Sequence, residues 1–296
     1  MKTLWKAATL TVIVVGAILA TGIQASAQDP PPGQPVLLGT TGACNNVNQG
    51  GPCTQTSTLV QIDPTNGALV RTIGPVGFTV NGLAWDVTSG KLYATTAVGD
   101  VSFHGLITID PNTGQGTPVN PSVVNFGLAV TAGTLGSPVH SVAIDSNGNA
   151  VAWYDEFPPP VGVTDTFVTL DKATGIGIEH NNTGINSGQN GLAFAKHDLL
   201  WNIDSPKLVN NVVTQTAYML NPADGTPLDT RELTPPTPSA LGDFNPEGNK
   251  YYGLNFQAFG SGNTSLVVVD LKKGTTTALG QTVDGLHVIA FIKHLP

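Results

Sequence analysis

The chain has 296 residues and a net charge of −8, and only 11% of its residues are charged, against about 25% in ordinary soluble proteins. The acidic balance argues against nucleic-acid binding, which needs a basic surface. The scarcity of Lys and Glu disfavours long exposed helices, and 35 Gly and 22 Pro indicate many short strands joined by turns.

The first 27 residues have the three parts of a secretory signal. Lys2 and Lys6 precede an uncharged apolar run, and Ala25-Ser26-Ala27 supplies small residues for signal peptidase. The run is short for a bilayer span, and no stop-transfer segment follows, so an uncleaved anchor is only the alternative. We expect residues 1–27 to be removed and residues 28–296 to form a single secreted or periplasmic domain, with no membrane span left.

Cys44 and Cys53 are the only two cysteines, and they bracket the polar loop NNVNQGGP. In an oxidising compartment, a pair this close in sequence predicts a disulfide that closes a short loop. Two cysteines alone do not indicate a zinc site, because structural zinc needs four ligands.

Two phrases alternate along the rest of the chain, and each describes a β-hairpin. The first is a strand, a turn with Asp or Asn and a Gly, and a second strand: LVQIDPTNGALV from Leu59, LITIDPNTGQGTPV from Leu106, FVTLDKATGIGI from Phe167, AYMLNPADGTPL from Ala217 and SLVVVDLKKGTTTAL from Ser265. The second phrase follows it: NGLAWDVTSGKLYATT from Asn81, HSVAIDSNGNAVAWYD from His140, NGLAFAKHDLLWNID from Asn190, ALGDFNPEGNKYYGL from Ala240 and DGLHVIAFI from Asp284. Small residues early in the second phrase suit an inner strand that is crowded against a central axis.

Two hairpins per period make a four-stranded antiparallel blade, and a ring of blades protects the sheet edges. PVLLGTTG from Pro35 lacks a preceding inner strand, whereas DGLHVIAFI from Asp284 lacks successors. The chain ends therefore complete one blade. This predicts an all-β propeller of five blades, closed by pairing of the N- and C-terminal strands. A hairpin hidden in the long interval between the second and third units leaves six blades as the alternative.

The repeats resemble those of secreted bacterial propellers of the NHL and YVTN types, and more distantly those of the gluconolactonase/regucalcin-like family. The resemblance covers most of the chain after residue 27. It implies a propeller architecture and no particular activity, because propellers host unrelated functions.

The topology separates two faces of the predicted ring. The turns within hairpins are tight and share one face, and the links between hairpins are long and share the other, which we call the long-loop face. Loops on a rigid scaffold carry function more often than tight turns, so the long-loop face is the predicted binding face. The repeated acids Asp63, Asp110, Asp171 and Asp270 fall on the tight-turn face, where we expect them to accept backbone hydrogen bonds.

The start of each inner strand should lie where the central channel opens on the long-loop face. Matching the second phrase puts Asn81, His140, Asn190 and Asp284 at this channel mouth, with Ala240 as the fifth position. Such a ring suits a small polar ligand or a divalent cation such as calcium. The gluconolactonase/regucalcin resemblance implies the same, because that family places metal-ligating Asn and Asp in comparable N-G-L and D-G phrases. The alternative is that these pairs only start strands, since Asn-Gly is common in turns.

Two functions are consistent with these patterns. The first is a secreted binding or scaffold propeller that recognises a protein, a glycan or a small ligand through its long-loop face. The alternative is a metal-dependent lactonase or esterase at the channel mouth, in which a cation polarises the ester carbonyl and His140 acts as the base. The sequence has no phosphate loop, dinucleotide fingerprint or G-x-S-x-G motif, so no other cofactor is indicated. Trp85, Trp153 and Trp201 fall inside predicted strands and are expected to pack between blades.

Overall fold

The computed structural model describes residues 35–42, 56–96, 103–128, 139–154, 165–180, 183–185, 190–237, 241–256 and 264–292. Within these ranges the regular secondary structure is almost entirely β-strand, and the only helices are two short 3-10 turns, Asn125–Gly127 and Lys196–Asp198. Within the same ranges, no helix is long and apolar enough to cross a membrane. The predicted signal segment and the predicted Cys44–Cys53 bridge lie outside the described residues.

The strands form five four-stranded antiparallel blades, and the strands of each blade follow in order from the inner to the outer one. Blade 1 contains β22 (Leu286–Ile292), β1 (Val36–Thr41), β2 (Thr58–Ile62) and β3 (Leu69–Pro75). Blade 2 contains β4 (Val80–Asp86), β5 (Lys91–Thr96), β6 (Leu106–Ile109) and β7 (Gly116–Pro118). Blade 3 contains β8 (Val139–Ile144), β9 (Ala150–Tyr154), β10 (Thr166–Leu170) and β11 (Gly177–His180). Blade 4 contains β12 (Asn190–Phe194), β13 (Leu200–Asp204), β16 (Thr216–Leu220) and β17 (Pro227–Glu232). Blade 5 contains β18 (Asp243–Phe244), β19 (Tyr251–Phe256), β20 (Thr264–Asp270) and β21 (Thr275–Gln281).

The five inner strands form a closed ring. β22 lies beside β4, β4 beside β8, β8 beside β12, β12 beside β18, and β18 beside β22. The predicted five-bladed propeller is therefore confirmed over the six-bladed alternative. The predicted closure is also confirmed, because β1 pairs antiparallel with β22, from Val36 opposite Ile292 to Thr41 opposite Leu286.

The hydrophobic core consists of seams between neighbouring blades, because each blade packs one face against the next. In the seam between blades 3 and 4, for example, Trp153 and Phe167 belong to the same buried cluster as Leu192 and Leu200. Of the tryptophans expected between blades, Trp153 and Trp201 are buried there, whereas Trp85 is only half-buried. Strands buried on both faces explain why their sequences are rich in Val, Leu and Ile.

The repeated acids have the structural role predicted for them. Asp63, Asp110 and Asp171 each accept a hydrogen bond at 2.8 Å from the backbone N–H two residues later, and Asp270 accepts one from Lys273 N–H at 3.1 Å. These bonds hold the tight turns between the two outer strands of four blades.

One hairpin interrupts the regular blade pattern. Between β13 and β16, on the long-loop face, the chain forms β14 (Lys207–Val209) and β15 (Val212–Thr214), which pair only with each other. Asn210 and Asn211 connect them with φ values of +50° and +62°. Two successive positive φ values at Asn residues are typical of a type I′ hairpin turn.

Candidate functional site

Bulges mark the start of two inner strands, β4 and β8, where the channel mouth was predicted. On β4, Val80 and Gly82 lie opposite adjacent residues of β5, so Asn81 is the extra residue. His140 is the extra residue on β8 in the same way, between Val139 and Ser141. Bulges at the rim of a closed sheet structure re-aim a side chain and are frequent next to binding sites. Asn81 and His140 thus hold equivalent positions in two neighbouring blades, and the Asn81 side chain is buried.

The other two predicted mouth residues lie differently. Asn190 is the first residue of β12 and pairs with Asp204 on β13. Asp284 is exposed in the turn before β22, ahead of the ring of strands. The bulge position of β22 belongs instead to His287, which lies between Leu286 and Val288 in the pairing with β1. His287 is buried, and its burial lowers the pKa of the imidazole to about 4, so it is neutral at pH 7.

Polar side chains lie on the two blade faces that border the seam between blades 3 and 4, near this mouth. Ser141 lies opposite Trp153, so it is on the face of blade 3 that packs against blade 4. Asn202 lies opposite Leu192, so it is on the face of blade 4 that packs against blade 3. Asp204 is two residues further along β13 and therefore shares that face. We call Ser141, Asn202 and Asp204 the polar seam.

The polar seam is buried and its hydrogen bonding is incomplete. Asn202 is 0% exposed, Asp204 is 1% exposed and Ser141 is 4% exposed. Among the described residues, Ser141 Oγ, both polar atoms of the Asn202 amide and Asp204 Oδ1 have no hydrogen-bond partner. Each such atom costs roughly 1–3 kcal/mol of folding free energy, so four on facing walls of one seam are an unusual concentration.

The carboxylate of Asp204 is the electrostatic centre of the seam. Burial raises the pKa of Asp204 to about 6. Lys207, whose Nζ lies 2.7 Å from Asp204 Oδ2, acts in the opposite direction and lowers this pKa. The negative charge of Asp165 raises this pKa further. Asp165 is itself buried and accepts a hydrogen bond from Trp153 Nε1 at 3.2 Å. Together with the neighbouring Asp165, the seam offers two carboxylates, an amide and a hydroxyl as possible oxygen ligands.

The β14–β15 hairpin is anchored on the same carboxylate. It begins at Lys207, the ion-pair partner of Asp204, and is followed by Gln215, whose Nε2 donates to the Asp204 carbonyl oxygen at 3.0 Å. Beyond this base, the hairpin exposes four apolar side chains: Leu208 at 69%, Val209 at 48%, Val212 at 61% and Val213 at 52%. Such an apolar ribbon on the long-loop face is typical of a contact surface.

Within the described residues, no three His, Cys, Asp or Glu side chains converge in a geometry that would hold a metal ion. The donor set of the polar seam is of another kind, because it adds amide and hydroxyl oxygens to carboxylates. These are ligands that calcium accepts and zinc rarely uses.

No protein-family model matches the chain, and no curated protein matches it either. Many solved structures match the chain at low sequence identity. TolB from Acinetobacter baumannii is 12% identical with a TM-score of 0.47, over 83% of this chain and 53% of that one. The Dos1 propeller is 12% identical with a TM-score of 0.37, over 78% of this chain and 55% of that one. A GH43 β-1,3-galactosidase is 10% identical with a TM-score of 0.45, over 69% of this chain and 49% of that one.

The chain thus spans about half the length of these three structures. Likenesses of this degree say nothing about activity. The NHL, YVTN and gluconolactonase-like resemblance of the repeats finds no support in a family match, whereas the propeller architecture is established by the strand pairing itself.

Sequence reasoning did not find the polar seam. Asn202 and Asp204 belong to the segment LLWNID, which reads as an ordinary second strand, and Ser141 looks like one of the small residues of an inner strand. One signal was available in the sequence: Asn202 and Asp204 alternate with Trp201 and Ile203 in a predicted second strand, and both faces of such a strand are buried in a propeller. A polar residue on a buried face calls for a partner.

Proposed function

We propose that this protein is a binding propeller whose ligand occupies the long-loop side of the seam between blades 3 and 4. The observation that carries the proposal is the group of four buried polar atoms without partners, contributed by Ser141, Asn202 and Asp204. Folded proteins pair nearly all buried polar atoms with protein groups, ordered water or a ligand. The apolar β14–β15 hairpin, anchored on Asp204, would add a contact surface for a protein or glycan that carries the ligand.

The chemistry of the seam favours a small, oxygen-coordinated occupant. Asp204 and Asp165 supply negative charge, and Asn202 and Ser141 supply neutral oxygens. A calcium ion suits such donors, and so does a hydroxyl group of a small polar ligand. The predicted mouth residues Asn81, His140 and Asn190 lie at the starts of neighbouring inner strands and are proposed to complete the site.

Calorimetric titration with Ca²⁺ and Mg²⁺, combined with thermal melts against a panel of sugars and lactones, tests the proposal. A ligand present at a hundredfold excess over its Kd should stabilise the protein by about 2.7 kcal/mol, which raises Tm by roughly 5–10 °C in a domain of this size. Asn202→Leu should abolish the shift, because it removes two seam atoms and leaves an apolar side chain of similar size.

Two further variants separate the carboxylate ligands that the seam and the mouth offer. If the cation is held in the seam, Asp204→Asn should strongly weaken its binding. If the cation is held at the predicted mouth, Asp284→Asn should do so instead. Asp229→Asn is the matched control, because Asp229 is a half-exposed acid on the outer strand of the same blade and pairs with Arg231. If the seam holds only ordered water, no compound shifts Tm and Asn202→Leu is neutral or stabilising, which contradicts the proposal.

Metal-assisted lactone or ester hydrolysis is the second candidate. The observation in its favour is that His140, the candidate base, holds a bulge position at the start of β8, directly before Ser141 in the chain. Purified protein would then hydrolyse a lactone or ester in a reaction that chelator suppresses and His140→Ala abolishes. Turnover that survives both treatments would eliminate this mechanism.

A further inference from the structure

The central opening has a second mouth on the tight-turn face, and it is lined by apolar side chains. Each inner strand contributes one residue just before its turn or its end, and we call these five residues the collar: Trp85, Ile144, Phe194, Phe244 and Phe291. They surround a cavity of about 710 Å³, which is within the range of small-molecule sites. Phe244 and Phe291 are held edge-on against Tyr251 and Tyr252, with ring centroids 5.4 and 5.0 Å apart.

A carboxylate lies within this collar. Asp243 lines the cavity, and its two oxygens accept the Phe244 N–H at 2.7 Å and the Phe291 N–H at 2.9 Å. It therefore spans the junction between blades 5 and 1. A carboxylate can accept about four hydrogen bonds, so these two leave lone pairs for a ligand.

The fold itself does not require an acid at this position. In the other four inner strands, the residue just before the collar residue is alanine: Ala84, Ala143, Ala193 and Ala290. Burial raises the pKa of Asp243 to about 7, which means that desolvation disfavours its ionised form. An acid that replaces a small apolar residue at a cost in stability is a mark of function rather than of architecture.

The charge around the cavity selects the class of ligand. Besides Asp243, the cavity is lined by Asp145, Asp198 and Glu247, and among the described residues of its lining the only lysine is Lys196. Hydrogen bonds between neighbouring blades occupy some of these carboxylate oxygens, as those from Ser146 to Asp198 do, but they do not cancel the charge. Aromatic faces and surplus negative charge together attract a cation with an apolar shell.

We propose that the collar cavity binds a small alkylammonium ligand, with Trp85 and Phe194 as aromatic walls and Asp243 as the counter-charge. The ligand's ammonium group lies against the Asp243 carboxylate, and its alkyl groups contact the rings of the collar. This site is on the face opposite the polar seam, and its existence does not depend on the function proposed above.

Choline and 3,3-dimethyl-1-butanol form the probe pair, because the second compound is the uncharged isostere of the first. Calorimetric titration into the full chain should show choline binding at least tenfold more tightly than the alcohol. Asp243→Asn should weaken choline about tenfold and leave the alcohol unchanged. Trp85→Leu, which keeps an apolar side chain but removes the aromatic face, should weaken choline severalfold. Asp171→Asn is the control, because Asp171 lies in a tight turn on the same face but does not line the collar cavity, and should leave both affinities unchanged.

Proton release on ligand binding distinguishes an Asp243 that binds the ligand from one with a purely structural role, because a purely structural Asp243 would release no proton. A bound cation favours the ionised carboxylate, so at pH 7 choline should release a fraction of a proton, seen as a binding heat that varies with the ionisation enthalpy of the buffer. Within the described residues, the ionisable groups near Asp243 are Tyr251 and Tyr252, which burial keeps neutral, and the cavity residues Asp145, Lys196, His197, Asp198 and Glu247. The proton release should vanish in Asp243→Asn. Equal affinities for choline and the alcohol, no binding of choline, or unchanged binding in Asp243→Asn would each overturn the proposal.

Discussion

Replacing Asp243 by Asn should make the protein more stable at pH 8 and slightly less stable at pH 4. In the folded protein, burial raises the pKa of Asp243 from 3.8 to about 7. The folded state therefore holds a proton between these two pH values that the unfolded state has released, so stability falls as the pH rises through this window.

The magnitude follows from the size of the pKa shift. Three pKa units correspond to about 4 kcal/mol of unfolding free energy, lost between pH 4 and pH 8. Asn cannot ionise and so avoids this cost. Its amide nitrogen cannot accept a backbone N–H, however, and the loss of one of the two hydrogen bonds to Phe244 and Phe291 costs about 1 kcal/mol. The net expectation is a gain of about 3 kcal/mol at pH 8 and a loss of about 1 kcal/mol at pH 4.

Urea unfolding of wild type and Asp243→Asn at unit steps from pH 4 to pH 8 measures this difference, provided that the m-values agree. Asp204 and His287 also titrate in this range, but they do so equally in both proteins and cancel in the difference. A difference that stays constant within about 0.5 kcal/mol over the whole range would refute the reasoning.

The packing of the blades supports three further predictions. Lys172 lies against the buried carboxylate of Asp86 and joins blade 3 to blade 2. Lys172→Met should therefore destabilise the protein by about 3 kcal/mol in urea unfolding, and adding Asp86→Asn should recover part of the loss. Unchanged stability of Lys172→Met would refute a stabilising role for this ion pair. Truncation after Gly285 removes all of β22, whose side chains are buried throughout, and should give insoluble protein, whereas a melt like that of the full chain would contradict ring closure. Folding lowers the pKa of His287 from 6.5 to about 4, so the wild type should lose roughly 3 kcal/mol of stability as the pH falls from 6.5 to 4. His287→Gln should retain this stability. Parallel pH profiles of stability for the two proteins would contradict the prediction.

The architecture could be predicted from the sequence because propeller blades are built from local hairpins. The turn residues within each repeat determine where the chain reverses, so strand order and blade number follow from the spacing of the phrases. The complementary chain ends identified the closing blade, and the pairing of β1 with β22 confirms it. The role of Asp63, Asp110 and Asp171 was also predictable, since their hydrogen bonds reach only two residues along the chain.

The bulge positions at the starts of the inner strands could only partly be predicted. Asn81 and His140 hold equivalent bulges, as their place in the phrase indicated. At the C-terminus, the D-G-L letters matched N-G-L and pointed to Asp284, but the pairing of β22 with β1 puts the bulge three residues later, at His287. Register between strands that are far apart in sequence depends on their partner, and no tight turn follows β22 within the described residues to anchor the count.

The polar seam and the collar were decided by tertiary structure alone. Ser141 and Asn202 are 61 positions apart in the sequence, and they border the same seam only because blade 4 packs against blade 3. Asp243 follows a glycine in a weak copy of the repeat. Nothing in the neighbouring sequence shows whether its carboxylate lines the central channel or only accepts hydrogen bonds within a turn. The alternation of residues in the sequence predicts which face of a strand a side chain occupies. The burial of that side chain, its desolvation and its polar neighbours depend on the residues of the blade that packs against this face.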